Sequence, residues 1–201
     1  MLIRSYTLLD YPQLLELQRA CFPAPYPEDQ LWSRAQIASH LEHFAAGALC
    51  VAENGLIIAS ATALILEHPA HTFAQATDNG FIGNHNSQGD TLYGVDMAVH
   101  PAWRGRGIAR MLYQARFRLV QQLGLKRFMA AGRMPGLENH SNLSPEEYVE
   151  KVVAGELTDP TLTPQLKNGL TPTKVLHQYI EDAQSRNCVL LLEWRNPLLP
   201  I

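Results

Sequence analysis

The sequence predicts a single mixed α/β domain, and three observations carry that prediction. Apolar residues alternate between helical spacing and short strand-like runs along the whole chain. A strand, helix, strand succession in its middle implies a parallel pair joined by a crossover helix. No repeat, low-complexity tract or composition break divides residues 1–201 into separate units. A chain of this length buries a full core, and 46% hydrophobic with 17% charged residues is ordinary for a folded protein.

Taken in order, "LIRSY" reads as a first strand. "YPQLLELQRACF" then sets Leu14, Leu15, Leu17 and Cys21 at helical spacing, until the proline-rich "FPAPYPED" breaks the helix. A second helix is expected over "QLWSRAQIASHLEHF". Two apolar runs flank Asn54-Gly55 in "ALCVAENGLIIASATALIL", the signature of a hairpin. Residues 68–90 are crowded with turn formers and predict a long loop over one face. "TLYGVDMAVH" is the next strand. Ile108, Met111, Leu112, Ala115, Leu119 and Leu123 follow on one stripe of a helix starting near Gly107, and "KRFMAAGR" is a further strand. A helical insertion occupies about 134–162. Within it "SPEEYVEKVVAGEL" has Ser144 and Glu147 as a capping box and Pro145 at the first helical position. "TPQLKNGL" predicts a short helix closed by Gly169, and "KVLHQY" and "CVLLLEW" predict two last strands.

Charge narrows the function. A net charge of -3 argues against a general binder of nucleic acid or anionic membrane. The longest apolar run is too short to span a bilayer, and the N-terminus has no cleavage signal, so a cytoplasmic protein without a membrane partner is expected. Cys21, Cys50 and Cys188 are odd in number and irregularly spaced, which favours buried thiols over disulfides or zinc. His40 with His43, and His68 with His71, lack a third ligand, so no metal is expected.

Against this acidic background, Met97 to Leu137 contains no acidic residue and holds half of the 16 lysines and arginines. Such a segment suggests a local anion site; Arg116 and Arg118 within it are expected on a solvated helix face. The stretch "RGRGIA" would form the first turn of the helix. Its amides have no internal partner, the helix dipole adds positive potential, glycines admit close approach and arginines supply countercharge. These are the parts of a phosphate or pyrophosphate cradle. A dinucleotide fingerprint fails because Arg110 stands at its third glycine, and the Lys-Ser/Thr of a P-loop is absent.

Arg104, Gly107 and Ala109 after "AVHP" form Arg-x-x-Gly-x-Ala, which resembles the acetyl-CoA-binding motif of the GNAT superfamily of N-acetyltransferases. The order of elements is similar to that fold throughout. The stretches "GDTLYGVDMAVHPAWRGRGIARMLYQAR", "SPEEYVEKVVAGEL" and "DPTLTPQLKNGL" look like the GNAT domain fused ahead of carbon-nitrogen hydrolase domains, here as a stand-alone relative. The resemblance implies a central mixed sheet of six or seven strands, with the fourth and fifth splayed. It assigns Arg104, Gly105, Arg106, Gly107, Ile108 and Ala109 to the pyrophosphate of CoA, and Met97, Ala98 and Val99 to its pantetheine arm.

The reaction so implied is attack of an amine on the thioester. Asp96 is the candidate base, expected to have a raised pKa in an apolar strand, with a structural carboxylate accepting backbone hydrogen bonds as the alternative. A strand amide near Met97 or Ala98 would hold the oxyanion. At the family's thiolate-protonating tyrosine this sequence has Gln165, with Leu170 in place of a following Phe; Tyr93, Tyr148 and Tyr179 are the substitutes considered. Phe22, Tyr26 and Trp32 either line the acceptor pocket or pack the core. The partners expected are an amine acceptor and a second copy of the chain or a carbon-nitrogen hydrolase, with acetyl-CoA as cosubstrate. A non-catalytic acyl-CoA-binding module is the alternative function.

Overall fold

Local rules place most elements in the computed structural model, which describes residues 1–24, 28–67 and 71–199. Strand β1 (Leu2–Ser5) leads into α1 (Tyr11–Cys21), and α2 (Arg34–Phe44) starts at a capping box made by Ser33 and Gln36, later than Gln30 where apolar spacing alone would begin it. β2 (Leu49–Glu53) and β3 (Leu56–Leu66) are joined at Asn54 and Gly55, whose φ values of 51° and 80° give the hairpin turn the dipeptide announces.

Of the segment expected as a long loop over one face, 68–90, the described residues 71–90 are mostly turns and bends laid over the sheet. It contains the short helix α3 (Phe73–Thr77), capped by Thr72, and buries Ala76, Thr77 and Ile82 against the sheet; His68 lies outside the described residues. Turn formers here shape a compact lid because its few apolar residues find a sheet face to cover.

β4 (Thr91–Val99), α4 (Ile108–Gln122) and β5 (Arg127–Arg133) form the crossover unit, and β4 and β5 are parallel. The insertion supplies α5 (Pro145–Val153), with the Ser144 and Glu147 capping box in place, and α6 (Leu162–Lys167) ends before Gly169 at φ 88°. β6 is Thr171–Leu176, three residues earlier than "KVLHQY" predicts, and β7 is Val189–Arg195. An edge strand facing solvent lacks the apolar alternation that would have fixed its start, and Pro172 is tolerated there.

The seven strands form one sheet in the order β1-β2-β3-β4-β5-β7-β6. One face packs under α1, α2 and α3; α4, α5 and α6 cover the other. The buried stripe of α4 is Ile108, Leu112, Tyr113, Arg116 and Val120, rotated from the predicted one, and Leu123 is exposed. No helix among the described residues is long and apolar enough to cross a membrane.

Candidate functional site

The start of α4 is built as an open donor cluster. His100 Nδ1 accepts from Ala102 N at 3.2 Å and shapes the Pro101–Trp103 turn. Gly105 and Gly107 follow at φ 75° and 78°, with Gly107 as the N-cap in the left-handed region that other residues disfavour. No side chain caps the helix, and Met111 N is the first amide to close on it, onto Gly107 O at 3.1 Å. A β-carbon at Gly105 or Gly107 would meet nothing within 4 Å, so the space before these amides is open. Arg104 and Arg106 are exposed. Arg104 Nε donates to Val99 O at 3.2 Å, and the Arg106 guanidinium lies 4.7 Å over the Trp103 ring. Ile108 is buried and Ala109 half-buried, which anchors the turn. Uncapped amides, the helix dipole and two flanking cations suit a diphosphate.

Beside this cradle the sheet opens. β5 pairs with β4 only from Thr91 to Gly94, and among the described residues nothing pairs with that edge from Val95 onward. His100 N donates to Ile58 O of β3. In an antiparallel ladder the alternate peptide groups therefore turn away, so Met97 and Val99 face the opening while Ala98 faces β3. The Ala98 side chain packs with Leu14 and Leu17. Of the three residues expected along the pantetheine arm, Met97 and Val99 offer their amides to the gap.

Asp96 sits where the register between β3 and β4 slips by one residue, a bulge at Val95. The bulge breaks the ladder at Thr62 and Asp96, and side chains replace the lost bonds. Asp96 Oδ1 accepts from Thr62 N at 2.9 Å. Arg116 Nη2 donates to Thr62 O at 2.7 Å and to Asp96 O. The expectation of a solvated Arg116 is therefore corrected: it is 2% exposed, whereas Arg118 is on the outer face. Two orphaned carbonyls at the bulge need a donor, and a guanidinium is long enough to reach both. Gly94 is required here, since a β-carbon would stand 2.8 Å from Phe128 Cζ and 3.3 Å from Arg116 Nη1.

On the α1–α2 face, a chain of buried groups runs from Thr62. Tyr6 Oη lies 3.0 Å from both Thr62 Oγ1 and His40 Nδ1, and His40 Nε2 lies 2.7 Å from Gly80 O. The carbonyl accepts, so Nε2 carries the proton and Nδ1 accepts from Tyr6. Burial lowers the His40 pKa and raises that of Tyr6. His40 is thus a structural histidine. His43 is exposed, and no group of three His, Cys, Asp or Glu residues suited to a metal occurs among the described residues.

The tyrosines expected as substitutes at the thiol point elsewhere. Tyr93 and Tyr179 share a hydrogen bond of 2.7 Å on the α3 face, and Tyr148 donates to Asp159 at 2.8 Å. Gln165 is buried on the α6 side against Gly132. Trp32 packs edge-on against His40, Phe22 is half-buried and Tyr26 lies outside the described residues. Cys50 and Cys188 are buried and Cys21 half-buried, all three as free thiols. Sequence reasoning missed Arg116: helical spacing from Leu112 sets its backbone on the sheet-facing side of α4, but leaves open whether the long side chain turns inward.

Comparison with known proteins agrees with this geometry. Residues 11–141 match the model of the acetyltransferase (GNAT) family. The chain is 44% identical over 199 residues to the Bacillus subtilis (strain 168) protein named "Uncharacterized N-acetyltransferase YkwB", covering 96% of this chain and 88% of that one. It is 36% identical to "Probable hydrolase YhcX" of the same organism over 98% of this chain, which is only 39% of the hydrolase. Among solved structures, the GphF GNAT-like decarboxylase in complex with isobutyryl-CoA shares the fold at a TM-score of 0.78 and 20% identity, over 98% of this chain and 100% of that one. A family match over most of the chain, on a sheet that opens beside an uncapped glycine-rich helix start, places this protein in the GNAT family of acetyltransferases.

Proposed function

We propose that the protein transfers an acetyl group from acetyl-CoA to a primary amine of a small molecule or protein, by direct attack of the amine on the thioester carbonyl. The observation that carries this reading is the parting of β4 from β5 immediately beside the open start of α4. A diphosphate held by the Arg104–Ala109 turn leads an extended thioester arm along the free amides of Val99 and Met97. The Met97 amide, facing the gap, is the donor available to a developing oxyanion. An alkylamine with pKa about 10.4 must lose a proton before attack. Asp96 is the carboxylate beside the gap, and its Oδ2 has no hydrogen-bond partner among the described residues.

Calorimetric titration with acetyl-CoA and CoA, followed by CoA release against a panel of primary amines, tests the proposal; binding without release of CoA for any amine would refute transfer. Asp96→Asn is expected to lower kcat at least about tenfold while acetyl-CoA affinity stays within about twofold. Equal pH profiles of kcat in the two proteins would remove Asp96 as base.

A second reading, an acyl-CoA-binding module that works beside a carbon-nitrogen hydrolase, is favoured by the engagement of Asp96 Oδ1 with Thr62 N and by the identity with YhcX. It requires CoA binding with no turnover.

A further inference from the structure

On the far side of β5 from the opening, the β6–β7 hairpin and α5 bring a thiol, an imidazole and a carboxylate into series. Leu176 of β6 pairs with Val189 of β7, so His177 and Cys188 are the next pair outward and their side chains share a face. On that face lies α5, whose Ser144 cap sets Glu146 in the first turn, where the helix dipole favours a carboxylate. Cys188 Sγ stands 3.4 Å from His177 Nδ1, and His177 Nε2 stands 2.7 Å from Glu146 Oε1. Hydrogen bonds from its own backbone amide and from His177 hold the Glu146 pKa low, so the carboxylate is ionised and accepts. Nε2 therefore carries the imidazole proton, and Nδ1 turns its lone pair to the sulfur. The thiol hydrogen has two acceptors, Nδ1 and the Arg186 carbonyl at 3.3 Å, and only the imidazole can remove it as a proton. Burial raises the Cys188 pKa and the Glu146 charge adds to this, so the sulfur is protonated at rest and needs a base to react. The loop around the pair is held in place. The Arg186 guanidinium donates to the carbonyls of Leu143, Leu137 and His140 at 2.8, 3.3 and 2.9 Å. Gln178, Arg186 and Asn187 flank the pair at φ 51°, 51° and 59°, left-handed conformations that persist where the surroundings impose them. Cys21 lacks such a base: its sulfur donates to Val99 O at 3.3 Å, and among the described residues no imidazole stands beside it.

We propose that Cys188, with His177 as its base and Glu146 orienting the imidazole, is a thiol site that reacts with hydrogen peroxide. Cys188 is 3% exposed, which shuts out a bulky electrophile, whereas peroxide is uncharged and two oxygens in size. The sulfur attacks one peroxide oxygen as its proton passes to His177 Nδ1. The sulfur–oxygen bond forms, the oxygen–oxygen bond breaks with its electron pair on the departing oxygen, and the imidazole gives the proton to that oxygen, which leaves as water. Sulfur loses two electrons and becomes a sulfenic acid, and the peroxide gains them. The site stands independently of the acyl-transfer reading.

The test follows the three thiols of the intact chain together. The protein is exposed to hydrogen peroxide for set times, the reaction is stopped with catalase, and the chain is unfolded in denaturant with dimedone, which traps sulfenic acid. Mass spectrometry then gives the rate of oxidation at each cysteine. Cys188 should be oxidised at least about tenfold faster than Cys21 or Cys50, although Cys21 is the most exposed of the three. His177→Asn should slow Cys188 about tenfold or more and leave Cys21 unchanged. Glu146→Ala should slow it less, and Glu146→Gln, which keeps an acceptor for Nε2, should recover most of that loss. Glu146 is exposed at the start of α5, so this second pair of variants decides the matter should His177→Asn fail to fold. Cys50, 0% exposed in another part of the core, reports any loss of the fold. Equal rates at Cys188 and Cys50 would mean that peroxide reaches them only on unfolding, and a lead by Cys21 would mean that exposure alone decides. Either result, or an unchanged Cys188 rate in the His177 and Glu146 variants, overturns the proposal.

Discussion

The two faces of β4 at its parting from β5 are finished in opposite ways. Toward α1 and α2, Thr62, Tyr6, His40 and the Gly80 carbonyl form a closed series of hydrogen bonds. Toward α4, Arg116 Nε and Gln165 Oε1 are buried without partners. An unsatisfied buried polar atom costs about 1–3 kcal/mol. On the α1–α2 face these polar groups pair with one another, whereas on the α4 face Arg116 holds the bulge through Nη2 and keeps its Nε, like Gln165 Oε1, uncommitted.

The largest effect should come from the residue shared by both faces. Arg116→Met removes the donor for Thr62 O and Asp96 O in the interior. Denaturant unfolding is expected to show a loss of about 3 kcal/mol, with impaired CoA binding as the bulge relaxes. A loss below about 1 kcal/mol would mean that Arg116 does not hold the fork.

Next comes the open rim. Gly107→Glu introduces a like charge for a diphosphate and a side chain at φ 78°. CoA affinity should fall on the order of 100-fold with the fold retained. Unchanged affinity in a folded variant would remove the turn from the site.

The smallest effect belongs to the closed face. His40 has a pKa lowered by burial, so the unfolded chain takes up its proton before the native state does. Its contribution is present above about pH 6.5, the ordinary histidine value, and is lost as pH falls through the depressed native value. Stability measured from pH 8 to 5 should decline in wild type. Tyr6→Phe, which removes the donor to His40 Nδ1, should cost about 1 kcal/mol at pH 8, and CoA affinity should be unaffected. A variant that lost CoA affinity would show that the two faces are coupled.

What could be read in advance follows the range of each interaction. The Asn54-Gly55 turn, the Ser144 and Glu147 box and the Gly107 start of α4 are decided by neighbours within four residues, and the structure keeps all three. The start of β6 was misplaced because an exposed edge strand carries no burial pattern. Within the loop expected over 68–90, the short helix α3 went unread because its apolar residues are few, and only the sheet beneath gives them something to cover.

The site divides in the same way. The Arg104–Ala109 turn is one contiguous piece of chain whose chemistry comes from its own backbone, so composition and spacing displayed it. Asp96 stood out as a carboxylate in an apolar strand. Its partner Thr62, the bulge at Val95, and the arginine that closes the bulge lie on three different elements. An arginine between Ala115 and Phe117 gives no sign of whether its three methylenes will carry the charge outward or inward. That choice was made by the two carbonyls that the bulge left open. Sequence alone determined most of the elements and the glycine-rich start of α4, because backbone geometry and caps act locally; tertiary structure decided which polar side chains are buried, because a buried group's partners come from segments distant along the chain.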